Sequence, residues 1–168
     1  QASLIKKNNN KNKITIDQAI SLGLIEMVGL KYPDSRGSMN IVGENLNNAA
    51  FKFTESYAGV LRGLHWQNLK SPQKKIISVG RGKVTLFLLK INKAEPSKVL
   101  NAIEINENSG WFMVKENFAH GYLSMDDSIF YYLTQGKYDE QNEKVFSIKD
   151  IVMREWHFLD IITSNKDT

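Results

Sequence analysis

The fold is decided by the stretch KKIISVGRGKVTLFLLKI, residues 74–91. It holds two runs rich in β-branched and other apolar residues, 75–79 and 83–91, and Gly80 and Gly82 punctuate the gap between them. Such runs, bounded by glycine, are typical of β-strands. Further runs of the same kind cover residues 101–105, 110–114, 129–134 and 144–148. This spacing predicts an all-β sandwich or barrel rather than alternating βαβ units.

The region before these runs carries local signals for a helix, a strand and a turn. Thr15-Ile-Asp-Gln18 resembles a capping box, so we expect a short helix that begins there and ends at Gly23. Residues 24–32 have the composition of a strand, which should stop at Pro33. The sequence Asp-Ser-Arg-Gly at 34–37 predicts a turn.

Composition limits the classes of protein to consider. The 168 residues fit one domain of ordinary size, and 42% hydrophobic residues are enough to bury a core. We expect no membrane span, because no apolar run approaches the roughly 18 residues that a spanning helix needs. The absence of cysteine excludes disulfides, thiolate catalysis and cysteine-built zinc sites. It also fits a reducing compartment, so we expect a cytoplasmic protein.

The net charge of +4 lies in one short segment. Residues 1–13 contain four lysines and no acid, which leaves the remainder of the chain near neutrality. We therefore expect a flexible, basic Asn/Lys-rich arm over residues 1–13 and a single domain over residues 14–168. Nucleic acid is not an expected partner, because duplex binding needs a basic stripe on a folded face.

Near the end of the chain, residues 150–159 are compatible with a short helix or an irregular segment.

Three segments mix polar side chains into apolar β surroundings: residues 59–67, residues 117–123, and residues 130–132 together with Tyr138. Polar groups inside a barrel need hydrogen-bond partners, because burial without one costs about 1–3 kcal/mol. Polar groups that converge in an apolar mouth are also how small-ligand sites are built.

His65 and His120 could meet on adjacent strands, but Gln occupies position 67 and no further set of metal ligands is evident. We therefore expect no metal and no cofactor.

The residue types suit acid–base chemistry better than metal binding. His65 could take a proton from carbon if a carboxylate such as Asp167 fixed its tautomer. Lys75 could stabilise an enolate oxygen, and Tyr132 could return a proton. Each residue has a plainer alternative: a histidine is more often structural, most lysines only solvate a surface, and one of Tyr131 and Tyr132 should be ordinary core.

At these segments the sequence resembles the dTDP-4-dehydrorhamnose 3,5-epimerase family. The resemblance rests on RGLHWQ at 62–67, QKKIISVGRGKV at 73–84 and FAHGY at 118–122, in matching order. It extends over residues 24–168, through Asp-Ser-Arg-Gly at 34–37, Phe130-Tyr-Tyr132, Tyr138, Glu143 and Ser164-Asn-Lys-Asp167. It implies a cupin-type jelly roll with a few short helices and without the cupin metal ligands.

The resemblance also implies a role for each matching position. His65 would abstract the proton beside a 4-keto group, with Asp167 as its orienting carboxylate. Lys75 would hold the enolate oxygen, and Tyr132 would be the acid on the opposite face. The implied substrate-binding residues are Arg62, His120, Arg36, Tyr138, Gln67 and Glu143. The expected activity is epimerisation at C3 and/or C5 of a nucleotide-linked 4-keto-6-deoxy or related keto sugar.

Departures from the family pattern leave alternatives open. The Gln-x-Asn pair that usually precedes RGLH is absent, and residues 50–54 read AFKFT instead. A ketoisomerase or single-centre epimerase of the same fold begins with the same enolate. A non-catalytic cupin that binds a sugar or nucleotide is the second alternative. The resemblance further implies a homodimer in which an N-terminal strand is exchanged, with Arg36 reaching the partner's site.

Overall fold

The computed structural model describes residues 3–4, 10–68, 70, 73–93, 95–156 and 160–168. These residues form fourteen strands, two α-helices and one 3-10 turn. The strands are β1 (Ser3–Leu4), β2 (Asn10–Ile14), β3 (Ile25–Val28), β4 (Leu30–Asp34), β5 (Gly37–Ile41), β6 (Ala50–Ser56), β7 (Leu61–Gln67), β8 (Lys74–Arg81), β9 (Lys83–Asn92), β10 (Glu95–Asn106), β11 (Trp111–Val114), β12 (Phe118–Ser124), β13 (Ser128–Gln135) and β14 (Glu143–Ser147). The helices are α1 (Ile16–Ser21) and α2 (Lys149–Trp156), and the 3-10 turn is Glu140–Asn142.

Two sheets form the body of the molecule, and the all-β prediction is confirmed. The larger sheet has the strand order β1-β14-β7-β12-β9-β10-β2, and the smaller one has the order β3-β11-β8-β13-β6. Strands β4 and β5 pair only with each other in the described part of the chain. Most pairings are antiparallel, and the parallel ones involve the short strands β1 and β2 at one end of the chain.

Strand β9 is apolar throughout because both of its faces are buried. Leu86 and Leu88 belong to the core between the two sheets, together with residues of β8, β11 and β13. Phe87 and Leu89 point to the other face and pack in a second core beneath α2. All four side chains are fully buried. A strand that is covered on both faces reads as a continuous apolar run, which explains the signal at residues 83–91.

Each strand-like run in the sequence is a strand in the structure. Strands β6, β7 and β12 were not among the predicted runs. In β7 and β12 the polar residues and glycines of the RGLH and FAHG segments interrupt the apolar pattern. In β6, Phe51 and Phe53 are exposed on the outer face of the smaller sheet, which removes the usual alternation of apolar-in and polar-out.

The predicted capping box and turn are both present. The side chain of Thr15 accepts a hydrogen bond from the backbone N–H of Gln18, and the side-chain oxygen of Gln18 accepts one from the backbone N–H of Thr15. The prediction of one strand over residues 24–32 is wrong, because Gly29, at φ +91°, divides it into β3 and β4. Strand β4 also continues through Pro33, which is tolerated because β4 is paired on one side only within the described residues.

The N-terminal boundary differs from the sequence prediction. Asn10–Ile14 form β2 and pair in parallel with residues 99–103 of β10, so part of the segment predicted as a flexible arm is a strand. Residues 5–9 lie outside the described residues. Helix α2 agrees with the helical alternative for the segment that begins at residue 150, and residues 157–159 of that segment also lie outside the described residues. Among the described helices, none has the length and apolar character needed to cross a membrane.

Gly121→Ala should destabilise the protein far more than Gly23→Ala. A Cβ atom at Gly121 would lie 2.2 Å from the backbone oxygen of Arg62, so β7 and β12 would have to separate. We expect a loss of about 3 kcal/mol in the free energy of unfolding. At Gly23, φ is +70° and no atom lies within 4 Å of the added Cβ, so only backbone strain of about 1 kcal/mol is expected. Denaturant unfolding measures both, and equal losses would contradict this account.

Candidate active site

One cavity of about 270 Å³ collects most of the polar residues singled out in the sequence. Its walls come from both sheets: β7, β12 and β14 of the larger sheet and β6, β8 and β13 of the smaller one. The residues that line it are Lys52, Thr54, Arg62, His65, Gln73, Lys75, Ile77, His120, Gly121, Tyr122, Phe130, Tyr132, Thr134, Tyr138, Glu143 and Asp167.

The alternation of a β-strand decides which of two neighbouring tyrosines enters the cavity. Tyr132 lines it, as do Phe130 and Thr134 two positions away on either side. Tyr131 points outward, where its ring stacks on Trp111 with centroids 6.0 Å apart and an interplanar angle of 13°. It also covers Gly80, where an added Cβ would lie 2.3 Å from the Tyr131 ring. Of the two tyrosines, Tyr131 is therefore the structural one.

His65 lies between two carboxylates. Its Nδ1 is 2.9 Å from Glu143 Oε1, and its Nε2 is 2.9 Å from Asp167 Oδ1. Burial lowers the pKa of His65, but the contacts with Asp167 and Glu143 outweigh it, so the pKa is raised above its ordinary value. Conversely, burial raises the pKa of Asp167, and the contact with His65 reverses this and lowers it. The sequence predicted Asp167 as a partner of the imidazole but not Glu143.

Glu143 is held at its other oxygen by two further groups. Tyr138 donates a hydrogen bond to Oε2 at 2.9 Å, and the ammonium of Lys166 bonds the same atom. Lys166 also contacts the hydroxyl oxygen of Tyr138 at 3.1 Å. Burial raises the pKa of Glu143, but bonds from His65, Lys166 and Tyr138 lower it to about 2. Lys166 was missed as a site residue, although its position beside Asp167 was a signal for it.

Lys75 and Tyr132 approach from the smaller sheet. Burial lowers the pKa of the Lys75 ammonium; the Glu143 carboxylate opposes this effect and the charge of Lys52 adds to it. The neighbouring Lys74 is exposed, as expected for the next position on a strand. Burial raises the pKa of Tyr132, so its phenol keeps its proton at neutral pH. The cavity therefore holds a cation and a proton donor on the wall opposite His65.

His120 pairs directly with His65 across β12 and β7, as the sequence suggested. Burial lowers the pKa of His120 well below its ordinary value, and the charges of Lys75 and His65 act in the same direction. The ring is therefore neutral, and its Nδ1 has no hydrogen-bond partner among the described residues. A buried polar atom of this kind can bind a polar group of a ligand. In the described part of the chain, no three His, Asp or Glu side chains are arranged to hold a metal ion.

Arg62 is fixed by its neighbours rather than by a carboxylate. Its Nε donates to Ser56 Oγ at 3.0 Å, and a terminal nitrogen donates to the backbone oxygen of Glu55 at 3.4 Å.

Lys52 lines the cavity but was not predicted from the sequence, although it lies in the AFKFT segment. Its signal was the two-residue period of β6, which sends Lys52 and Thr54 to the same face.

Two of the expected binding residues lie elsewhere. Arg36 is at the tip of the β4–β5 hairpin, 88% exposed, and forms an ion pair with Asp34 at 2.6 Å. Gln67 does not line the cavity. Its amide instead bonds the backbone of Lys137 and Asp139, on either side of Tyr138. Gln67 therefore holds the loop that carries Tyr138, which differs from the direct substrate contact that the resemblance implied.

Comparison with known proteins agrees with this arrangement. The family model described as dTDP-4-dehydrorhamnose 3,5-epimerase matches residues 34–168, which include every lining residue of the cavity. The chain belongs to the dTDP-4-dehydrorhamnose 3,5-epimerase family. It is therefore an isomerase of the epimerase class, and the alternative of a non-catalytic cupin is not supported.

The relatives include enzymes from bacteria and archaea. The chain is 30% identical over 131 residues to dTDP-4-dehydrorhamnose 3,5-epimerase of Shigella flexneri, covering 75% of this chain and 72% of that one. It is 33% identical to the Methanothermobacter thermautotrophicus enzyme over 110 residues, 57% of each chain. The crystal structure of the Sulfolobus tokodaii epimerase superposes with a TM-score of 0.63, at 27% identity over 82% of each chain. The predicted cupin-type jelly roll is thereby confirmed.

Glu143→Gln should destabilise the epimerase most between about pH 4.5 and 6.5. The lowered pKa of Glu143 contributes stability that is present above its ordinary value of 4.5 and is lost as the pH falls towards about 2. The raised pKa of His65 contributes stability that is present below 6.5 and is lost as the pH rises through the folded-state value. The Tm difference between wild type and variant should therefore peak in that window. Glu140→Gln, in the exposed 3-10 turn, is the control, and a difference that does not vary with pH would contradict the coupling.

Proposed function

We propose that this epimerase inverts C3 and/or C5 of a nucleotide-linked 4-keto-6-deoxy sugar, or a related keto sugar, through an enolate. One observation carries the proposal: His65 and Tyr132 stand on strands of opposite sheets and line the same cavity. A sugar ring between them would present one face to each residue. Removal of a proton on one face and its return on the other inverts a carbon centre.

His65 is the proposed base and Lys75 the proposed oxyanion stabiliser. The imidazole takes the proton from the carbon beside the 4-keto group, and the electron pair of that C–H bond moves into the carbonyl to give the enolate. The Lys75 ammonium, within the same cavity, offsets the negative charge on the oxygen. Nδ1 of neutral His120, which has no hydrogen-bond partner in the described part of the chain, provides a second polar contact for the sugar. Asp167 keeps the imidazole oriented.

Tyr132 is the proposed acid. Its phenol gives a proton to the carbon of the enolate, on the face opposite His65, and the C4 carbonyl re-forms. The raised pKa that burial gives Tyr132 suits a group that must carry a proton before this step. The resulting phenolate takes a proton from solvent and the His65 imidazolium gives its proton to solvent, both through the open mouth of the cavity, so that both residues return to their starting states.

The charge of the cavity supports a nucleotide-linked substrate. Lys52 and Arg62 both line it, and neither forms an ion pair with a carboxylate among the described residues. The two carboxylates of the cavity already have partners, Lys166 for Glu143 and His65 for both. A diphosphate would find the complementary charge at Lys52 and Arg62, which would compensate for the missing Gln-x-Asn pair. A related structure of the Legionella pneumophila epimerase, 24% identical with a TM-score of 0.65, is a complex with dTDP-4-keto-L-rhamnose.

A cytoplasmic location stays a prediction.

Deuterium exchange separates the base from the acid. Incubation with dTDP-4-keto-6-deoxyglucose in D₂O should place deuterium at C3 or C5. His65→Gln should slow this exchange by about 10²–10⁴-fold, because the general base is lost. Tyr132→Phe should still exchange the proton on the His65 face but should invert little product. Tyr131→Phe is the matched control on the same strand. Its rates of deuterium exchange and of product inversion should both stay near those of the wild type.

The product spectrum separates the remaining alternatives. NMR of the sugar distinguishes inversion at both centres, inversion at one centre, and a carbonyl shifted from C4 to C3 as in a ketoisomerase. All three would share His65 as the base. Absence of exchange with every 4-keto sugar nucleotide would overturn the proposal.

We also propose a homodimer in which the N-terminal strands are exchanged. The hairpin β4–β5 exposes Leu30, Tyr32 and Met39, each at least 50% accessible, and such apolar side chains on a two-stranded ribbon need cover. Arg36 at its tip lies outside the cavity of its own chain. In the proposed dimer the hairpin covers the partner and Arg36 completes the partner's site, where it would bind the diphosphate.

Mixed dimers test this arrangement. Arg36→Ala and His65→Gln should each be poorly active alone. Co-expression should restore about a quarter of wild-type activity, because half of randomly paired dimers are mixed and each mixed dimer has one intact site. No restoration, or a monomer by light scattering, would contradict the exchange.

A further inference from the structure

Both ring nitrogens of His65 are occupied in this structure. Glu143 Oε1 lies 2.9 Å from Nδ1 and Asp167 Oδ1 lies 2.9 Å from Nε2. A carboxylate oxygen can only accept a hydrogen bond, so two such contacts call for a proton on each ring nitrogen. An imidazolium has no lone pair with which to accept a proton from carbon. The arrangement is therefore a resting state, and one carboxylate must leave before His65 can act as a base.

The two carboxylates are not equally free to leave. Glu143 has Tyr138 and Lys166 at its other oxygen, so it keeps two partners when Oε1 moves off the imidazole. Besides its contact with His65, Asp167 has hydrogen bonds with the backbone of Gly63 and the side chain of Ser164, and both of these partners are neutral. Moving Asp167 off the imidazole would separate its carboxylate from the charged His65 ring and leave it only neutral partners, which is costly for a buried charge. Glu143, in contrast, would keep the Lys166 ammonium as a cationic partner.

We propose that Glu143 is a removable cap on Nδ1 of His65, and that the substrate opens the site by drawing Glu143 towards Lys166 and Tyr138. This inference rests on the proposed function of His65 as a base. With the cap removed, His65 is paired with Asp167 alone and releases one proton to solvent. The lone pair of Nδ1 then faces the space that Glu143 Oε1 had filled at the cavity wall. Glu143 is thus a positioning residue that acts through His65.

The other groups around His65 favour this switch. Lys75 on β8 faces the same cavity as a cation, which disfavours a second positive charge once Glu143 has moved. His120 on β12 is neutral and adds no charge. Asp167 stays in place and keeps the ring oriented. Lys166 and Tyr138 retain the displaced carboxylate. The protonation of His65 is therefore coupled to the position of one side chain.

NMR can follow this coupling without turnover. The chain has only three histidines, so the ¹⁵N signals of His65 can be assigned with the His65→Gln variant. The probe is dTDP-glucose, which lacks the keto group and cannot react. In the free wild type the midpoint of the His65 titration should lie above that of Glu143→Gln. The probe should lower the wild-type midpoint and leave that of Glu143→Gln nearly unchanged. The control Glu140→Gln should behave as the wild type.

Kinetics provide a second readout. The pH profile of kcat/KM reports the free enzyme and that of kcat reports the complex. The acidic limb should therefore lie at higher pH for kcat/KM than for kcat in the wild type, and the two limbs should coincide in Glu143→Gln. Coincident limbs in the wild type, or equal effects of dTDP-glucose on the titrations of wild type and variant, would overturn the cap. Failure of the proposed function would give a different result. The His65 titration would still respond to dTDP-glucose, but no 4-keto sugar nucleotide would exchange deuterium.

Discussion

A strand with apolar side chains on both faces has to be covered on both sides, and β9 imposes this requirement on the whole molecule. Its inner residues, Leu86 and Leu88, need the smaller sheet, and its outer residues, Phe87 and Leu89, need α2. Each layer buries side chains whose removal from water contributes about 1.5–3 kcal/mol apiece. The two-sheet body and the position of the C-terminal helix both follow from this single strand.

The same layering creates the site. Where the two sheets face each other, polar side chains replace the apolar core on β7 and β12 on one wall and on β8 and β13 on the other. His65 and Tyr132 therefore confront each other across a gap without any loop having to move them together. The two carboxylates come from different parts of the chain: Glu143 is the first residue of β14, and Asp167 lies in the segment that follows α2. The two sheets thus supply the proposed acid, the proposed base and the Lys75 cation, and the C-terminal segment supplies the carboxylate that contacts His65.

Local signals made much of the fold predictable. Apolar runs such as 83–91 and the capping box at Thr15 depend on nearby residues, and both were identified from the sequence. Family motifs brought His65, Lys75 and Tyr132 into one prediction, and the structure places them in one cavity. The second carboxylate on His65 was not predictable, because it depends on the register of β14 against β7, over a separation of 78 residues. For the same reason Gln67 was assigned to substrate, whereas its amide reaches a loop 70 residues further on.

The outward stack of Tyr131 on Trp111 has a consequence for engineering the enzyme. On strand β13, Tyr131 points to the outside of the sheet and Tyr132 points into the cavity. A shift of one residue in the register of this strand would therefore replace Tyr132 in the cavity with a neighbouring residue. The Tyr131 ring, seated over Gly80 and flanked by Trp111 and Phe51, resists such a shift. Mutagenesis libraries that treat these three outer aromatic positions as freely variable would alter, from the far side of the sheet, the alignment of the strand that carries Tyr132 into the cavity.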